Sequence, residues 1–172
     1  MRLFLIVPLL AAAPLSAEVK SVTDYGFEVA KTVVVKGDPA KVYSTIGQPG
    51  LWWNPAHSYS QDAKNMTMLL RPGGCFCEAL PKEKGAVEHG RVVFAQPGKV
   101  VRISAALGPL GAEGVSGTLT FQLKAVDGGT QVAMNYVVGG YIRGGGPKQW
   151  APAVDFVLSE QVDRLKAYLD GH

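Results

Sequence analysis

The chain has 172 residues, 47% hydrophobic, 18% charged and 9% aromatic. That is enough apolar sequence for one domain with a real core, and too apolar and weakly charged for a disordered chain. Lys and Arg number 17 against 14 Asp and Glu, a net charge of +3, and the basic residues are scattered. The clustered basic stripe of a nucleic-acid binder is missing, so nucleic acid is not an expected partner.

The first element is a leader. Met1-Arg2 precede a short apolar run from Leu3 to Ala13, and small residues follow to Ser16-Ala17. This pattern predicts a signal peptide over 1–17, a mature chain beginning at Glu18, and a periplasmic or secreted product. The run is too short to span a bilayer comfortably and no later run approaches that length, so no integral membrane segment is expected after cleavage. Residues 18–172 then form a single domain.

Glu28 to Lys36 is rich in β-branched residues and predicts a strand. Asp38 before Pro39 is an N-cap followed by a first-turn proline, and predicts a short helix from Ala40 to about Ile46. Gln48-Pro49-Gly50 ends it, and Leu51-Trp52-Trp53 starts a second short apolar turn or helix. Candidate strands follow over Asn65–Leu70, Cys75–Leu80, Val87–Ala95 and Val100–Leu107, separated by Pro- and Gly-rich turns. The clearest hairpin is Thr118–Val138. Leu119, Phe121 and Leu123 alternate with polar residues, as do Val132, Met134, Tyr136 and Val138 beyond Asp127-Gly128-Gly129. Such period-two patterning predicts antiparallel strands with one apolar face. Gly139–Gly146 lacks phosphate-loop spacing and predicts a tightly turning connection. The end is a helix: Val154, Leu158, Val162, Leu165 and Leu169 form one stripe, Asp155, Ser159, Asp163 and Lys166 point away, and Glu160 with Arg164 makes an i,i+4 pair.

These elements predict an α+β fold in which a curved antiparallel sheet of about six to seven strands wraps around the long C-terminal helix, with two short helices after the first strand. Only that helix is long enough to cover the sheet's apolar face. A sheet curved around one helix leaves space between them, so an apolar cavity is expected.

In this order the chain resembles the START-like, or SRPBCC, superfamily of helix-grip proteins over roughly residues 26–169. The resemblance is carried by Asp38-Pro39-Ala40-Lys41-Val42-Tyr43, by Trp52-Trp53-Asn54-Pro55 and by Arg71-Pro72-Gly73-Gly74-Cys75-Phe76-Cys77-Glu78. Val92 to Val101, the hairpin around Gly129-Thr130-Gln131-Val132 and the final helix complete it. The run Trp52 to Ser60 with Cys75 to Glu78 is similar to an exported bacterial, polyketide cyclase-like branch. The resemblance implies a carrier of a small hydrophobic or lipid-like ligand. It leaves open a cyclase, dehydratase or hydrolase using Glu78 and His57 as acid–base groups, and an interaction protein resembling the chaperone ATPase activators.

Glu78 is the leading candidate residue. Alternation places it with Phe76 and Leu80 on the bulkier face of its strand, inside the cavity or at its mouth, where burial raises a carboxyl pKa unless Arg71, Arg91 or Arg102 pairs with it. His57, among Trp52, Trp53 and Tyr59, is placed to gate an entrance. The expected ligand wall is Trp52, Trp53, Tyr59, Glu78, Met134, Tyr136 and Phe156, the last lying off the helix stripe. Cys75 and Cys77 with His57 and His89 have the wrong cysteine spacing for a structural zinc site, so neither metal nor other cofactor is expected. The two cysteines could instead pair in an oxidising compartment. In a regular strand, residues i and i+2 stand roughly 6.5–7 Å apart, near the limit for a disulfide, so pairing needs a local bulge.

Overall fold

The computed structural model describes residues 18–172, and the expected leader lies outside them. Eight antiparallel strands form one sheet: β1 (Glu18–Thr23), β2 (Gly26–Val35), β3 (Met66–Met68), β4 (Cys75–Leu80), β5 (Gly85–Gln96), β6 (Val100–Ser104), β7 (Gly114–Val126) and β8 (Gly129–Tyr141). Their spatial order is β1-β2-β8-β7-β6-β5-β4-β3. Helix α1 (Pro39–Ile46) follows β2, three short 3-10 turns lead from it to β3, and α2 (Gly146–Gly171) closes the chain. The architecture is the expected one, an α+β curved sheet around a long C-terminal helix. The sheet gains β1, a six-residue edge strand that continues the β2 hairpin through Thr23↔Gly26.

Local chemistry fixes the elements as anticipated around α1: Asp38 Oδ1 accepts from the backbone N–H groups of Ala40 and Lys41, both at 2.8 Å. In the β7–β8 hairpin, Leu119 faces Tyr136, Phe121 faces Met134 and Leu123 faces Val132. All six are buried in one core with Leu158, Val162 and Leu165 of α2. Lys31 also points inward from β2. Its apolar stem lies in the core while Nζ reaches Asp163 Oδ2 at 2.5 Å and the Ser159 carbonyl at 3.3 Å.

Three details of α2 and its approach differ from expectation. Ser159 is buried rather than solvent-facing, because the helix is covered over more than one narrow stripe. Glu160 and Arg164 do not pair: Glu160 reaches Asn54 and His57, and Arg164 Nε donates to the Trp52 carbonyl at 3.0 Å. The glycine-rich connection is shorter than expected, because β8 continues through Tyr141 against Gly114. A side chain at Gly140 would collide with the Gly114 carbonyl, and its φ of 130° suits only glycine.

Strand β5 carries two bulges. Against β4, Phe76 pairs with Gly90 and Cys77 with Glu88, so His89 is the extra residue. Against β6, Val92 pairs with Ile103 and Phe94 with Arg102, leaving Val93 extra. The first bulge turns both His89 and Gly90 inward. Gly90 is required there, since a Cβ would lie 2.5 Å from the Ser104 carbonyl oxygen and 2.6 Å from Ala105 Cβ.

Candidate functional site

A cavity of about 380 Å³ lies under the segment 53–59, beside the N-terminal half of α2. Its apolar wall includes Trp53, Leu107, Leu110, Trp150, Val154 and Leu158, and its polar groups include two imidazoles, His57 and His89. That size and lining fit a small-molecule site.

Residues 52–60 form a strap across this space, held by polar contacts on both sides. Toward α2, Arg164 bonds the Trp52 carbonyl, Gln161 Oε1 accepts from Asn54 N at 2.7 Å, and Glu160 takes Asn54 Nδ2 at 2.6 Å and His57 Nε2 at 3.0 Å. Toward the sheet, Glu78 accepts from the backbone N–H groups of Tyr59 at 3.1 Å and Ser60 at 2.5 Å. The same carboxylate accepts from His89 Nε2 at 3.0 Å.

Glu78 is fully buried. Burial pushes its carboxyl pKa up, but hydrogen bonds from Ser60, Tyr59 and His89 together outweigh it and hold the pKa below the ordinary carboxylate value. The expected arginine partners are elsewhere: Arg91 pairs with Glu88 at 2.5 Å, Arg102 lies over the Phe94 ring, and Arg71 is exposed. The buried charge is instead satisfied by two backbone donors and an imidazole. His89 is 7% exposed and flanked by the Tyr59 and Phe76 rings, with centroids 6.0 and 5.0 Å away. Burial lowers its pKa, against the pull of Glu78. The neutral ring therefore donates Nε2–H to Glu78 and keeps Nδ1 as an acceptor.

Of the seven residues expected on the wall, Trp53 and Tyr59 line the cavity. Glu78 stands behind His89. Trp52 is packed into the core with its indole N–H on the Thr45 carbonyl at 2.9 Å, and Met134 is buried within the sheet's inner face. Tyr136 lies beneath the Leu107 loop, accepting from Leu107 N at 3.1 Å and donating to the Ala105 carbonyl at 3.0 Å; burial pushes its pKa up to about 12. Phe156, 70% exposed, is on the outer side of α2. His57 lines the cavity, and its carboxylate partner is Glu160.

The role of His89 escaped the sequence because simple alternation does not count a bulge. The one available signal was Gly90, a glycine inside a strand. Glu160 was read as the helical partner of Arg164, and nothing in the periodicity reveals that the strap crosses at Glu160 and Gln161. The cysteines are bonded to each other, with Cα atoms 5.4 Å apart, so they do not combine with the histidines as a ligand set. The bulge that their pairing requires is supplied by the opposite strand, at His89.

Comparison with solved structures places this geometry in a known fold. CalU16 from Micromonospora echinospora superposes with a TM-score of 0.60 at 12% identity, over 92% of this chain and 86% of that one. A protein from Mesorhizobium loti gives 0.57 at 15% identity, over 83% and 96%. The di-domain ARO/CYC StfQ, from the steffimycin biosynthetic pathway, gives 0.57 at 12% identity, over 86% of this chain and 52% of StfQ. The likeness is one of fold: a curved antiparallel sheet around a long C-terminal helix. No family model matches the sequence, and no curated protein does.

Proposed function

We propose that this protein is exported and binds a small, predominantly apolar molecule in the cavity beneath the strap. The observation that carries this reading is the half-open, apolar-walled cavity of about 380 Å³, aromatic at Trp53 and Trp150, with polar groups confined to a few positions. The SRPBCC-like neighbours, one of them an ARO/CYC protein of a biosynthetic pathway, support it. A lipid-like or an aromatic molecule suits this lining. Export rests on the leader pattern of 1–17, and intact mass of periplasmic material beginning at Glu18 is the expected result.

The binding test uses a naphthalene-based fluorescent probe and native mass spectrometry of the exported protein. The wild type should bind the probe or carry a co-purified apolar molecule. Ala153→Trp, which fills the cavity from α2, should abolish binding and leave the thermal midpoint nearly unchanged. A wild type that takes up no apolar molecule, or an Ala153→Trp protein that binds as well as wild type, refutes the reading.

A second reading, an acid–base enzyme, is favoured by the His89–Glu78 arrangement. A carboxylate orienting a neutral imidazole toward a cavity is how a general base is built. The expected acid–base groups were Glu78 and His57; the imidazole that contacts Glu78 is His89. If the co-purified molecule is turned over, His89→Gln should lower the rate by roughly 100-fold or more, the scale of general acid–base catalysis.

A further inference from the structure

The cavity offers an anion nothing to pair with. Among the described residues that line it, none is Lys, Arg, Asp or Glu. Its two imidazoles each meet a carboxylate through Nε2, His57 with Glu160 and His89 with Glu78, both at 3.0 Å. His89 is the buried one of the two. Its Nδ1 has no hydrogen-bond partner among the described residues, yet it is not sealed in by its neighbours. On a side chain whose open surface lines the cavity, that nitrogen is what the cavity presents to a ligand. Glu78 fixes the proton on this ring. Its Oε2 already accepts from Tyr59 N and its Oε1 from Ser60 N, groups that can only donate. The carboxylate therefore takes Nε2–H as a third donor, and Nδ1 keeps its lone pair. Burial, which disfavours the charged ring, acts in the same direction.

We propose that the ligand of this cavity is a neutral molecule bearing a hydroxyl group, a phenol or an alcohol, whose O–H donates to His89 Nδ1; the inference rests on the cavity reading above. An apolar molecule without a donor leaves Nδ1 covered and unpaired, which costs affinity. A carboxylate fares worse. It brings a charge out of water, finds no cation on the wall, and sets its own lone pairs against that of Nδ1, with Glu78 and Glu160 behind the two rings. The apolar wall alone admits fatty acids and alcohols alike, and the acceptor on His89 separates them. Glu78 is then a positioning residue: it stands behind His89 and decides which ring nitrogen carries the proton.

The test measures binding of three probes at neutral pH by isothermal titration calorimetry: 2-naphthol, which can donate; 2-methoxynaphthalene, which can only accept; and 2-naphthoate, which is ionised. The wild type should bind 2-naphthol about 10-fold or more tighter than 2-methoxynaphthalene and show no saturable binding of 2-naphthoate. Ala153→Trp should abolish 2-naphthol binding, which locates the site in the cavity. In Glu78→Gln the amide NH₂ faces Nε2, the ring's proton moves to Nδ1, and the preference for 2-naphthol should vanish. A preference that came from the bulk of the methoxy group would survive that change. His89→Phe should remove the preference as well, and circular dichroism checks that the variants are folded. If no probe binds the wild type, or Ala153→Trp binds 2-naphthol as well as wild type does, the cavity reading falls and this inference with it. Three results overturn this inference alone and leave the cavity reading standing: equal binding of 2-naphthol and 2-methoxynaphthalene, 2-naphthoate binding as tightly as 2-naphthol, or a preference unchanged in a folded Glu78→Gln or His89→Phe protein.

Discussion

Replacing Glu78 with Gln keeps the side chain's shape and removes the charge on which the strap and His89 converge. The carboxylate accepts three hydrogen bonds, from Tyr59 N, Ser60 N and His89 Nε2. A glutamine offers one carbonyl oxygen and one NH₂ group. If its oxygen keeps Ser60, the NH₂ faces the Tyr59 N–H, which loses its partner. His89 must then shift its proton to Nδ1 so that Nε2 can accept. Hydrogen bonds to a charged group contribute about 1.5–3 kcal/mol each, and removing the buried charge recovers part of that loss. The expected net destabilisation is therefore about 2–4 kcal/mol, read as a lower urea midpoint with unchanged slope. The variant should also lose part of the acid sensitivity of the wild type. Glu78 has a depressed folded pKa, so its contribution is present above the unfolded value of about 4.3 and lost as pH falls through the folded value. His89, also depressed, favours the folded state when neutral; stability should fall as pH drops below its unfolded value of about 6.5 toward the folded one. In Glu78→Gln the lower of these two steps disappears. Stability within about 0.5 kcal/mol of wild type, or an unchanged acid limb, would refute the view of Glu78 as the ionised clamp of the strap; a shift of that size is what a surface substitution gives.

Phe121→Ala removes a buried ring that packs edge-on against Trp52 at 6.4 Å, and should cost about 3–5 kcal/mol by chemical denaturation. Lys31→Met should stay within about 1 kcal/mol of wild type, because the stem's packing is kept and the abandoned Asp163 carboxylate is already 59% exposed. His57→Gln should cost no more than about 1 kcal/mol, since the Glu160 pair is partly solvated, yet stopped-flow release of a cavity probe should quicken as that side of the strap loosens.

The fold was legible where periodicity and capping agree. Asp38-Pro39 marked the start of α1, the alternation from Thr118 to Val138 gave the central hairpin in register, and Leu158, Val162 and Leu165 gave the face of α2. The inward face of β4 was legible too, because Phe76 and Glu78 alternate with two smaller residues. What escaped depends on contacts between distant segments. Glu78 and His89 are 11 residues apart, His57 and Glu160 are 103 apart, and Asn54 and Gln161 are 107 apart. Helical spacing paired Glu160 with Arg164, a contact worth only a few tenths of a kcal/mol, and the strap's backbone and imidazole donors outcompete it. Met134 and Tyr136 were placed on the right face, but neither is in the cavity lining, and the Tyr136 hydroxyl is held by Leu107 N and the Ala105 carbonyl.

The two bulges of β5 cancel each other. Inward positions run odd at His89, even at Gly90 and Val92, and odd again at Ala95, so the strand slips by half a repeat and then slips back. Everything beyond Val93 is in the phase it would have had in an unbroken strand, and the core is indifferent to what happened between. The cavity's imidazole thus stands on an interval that the rest of the fold does not read. Changes in the length of this strand, rather than in its composition, are the natural route by which relatives of this architecture could acquire or discard a polar group at this spot. Removing His89 would leave Gly90 opposite Phe76 and Glu88 opposite Cys77, ending the bulge and the imidazole together with no charged side chain turned inward, and removing one residue at each bulge would restore plain alternation without altering either end.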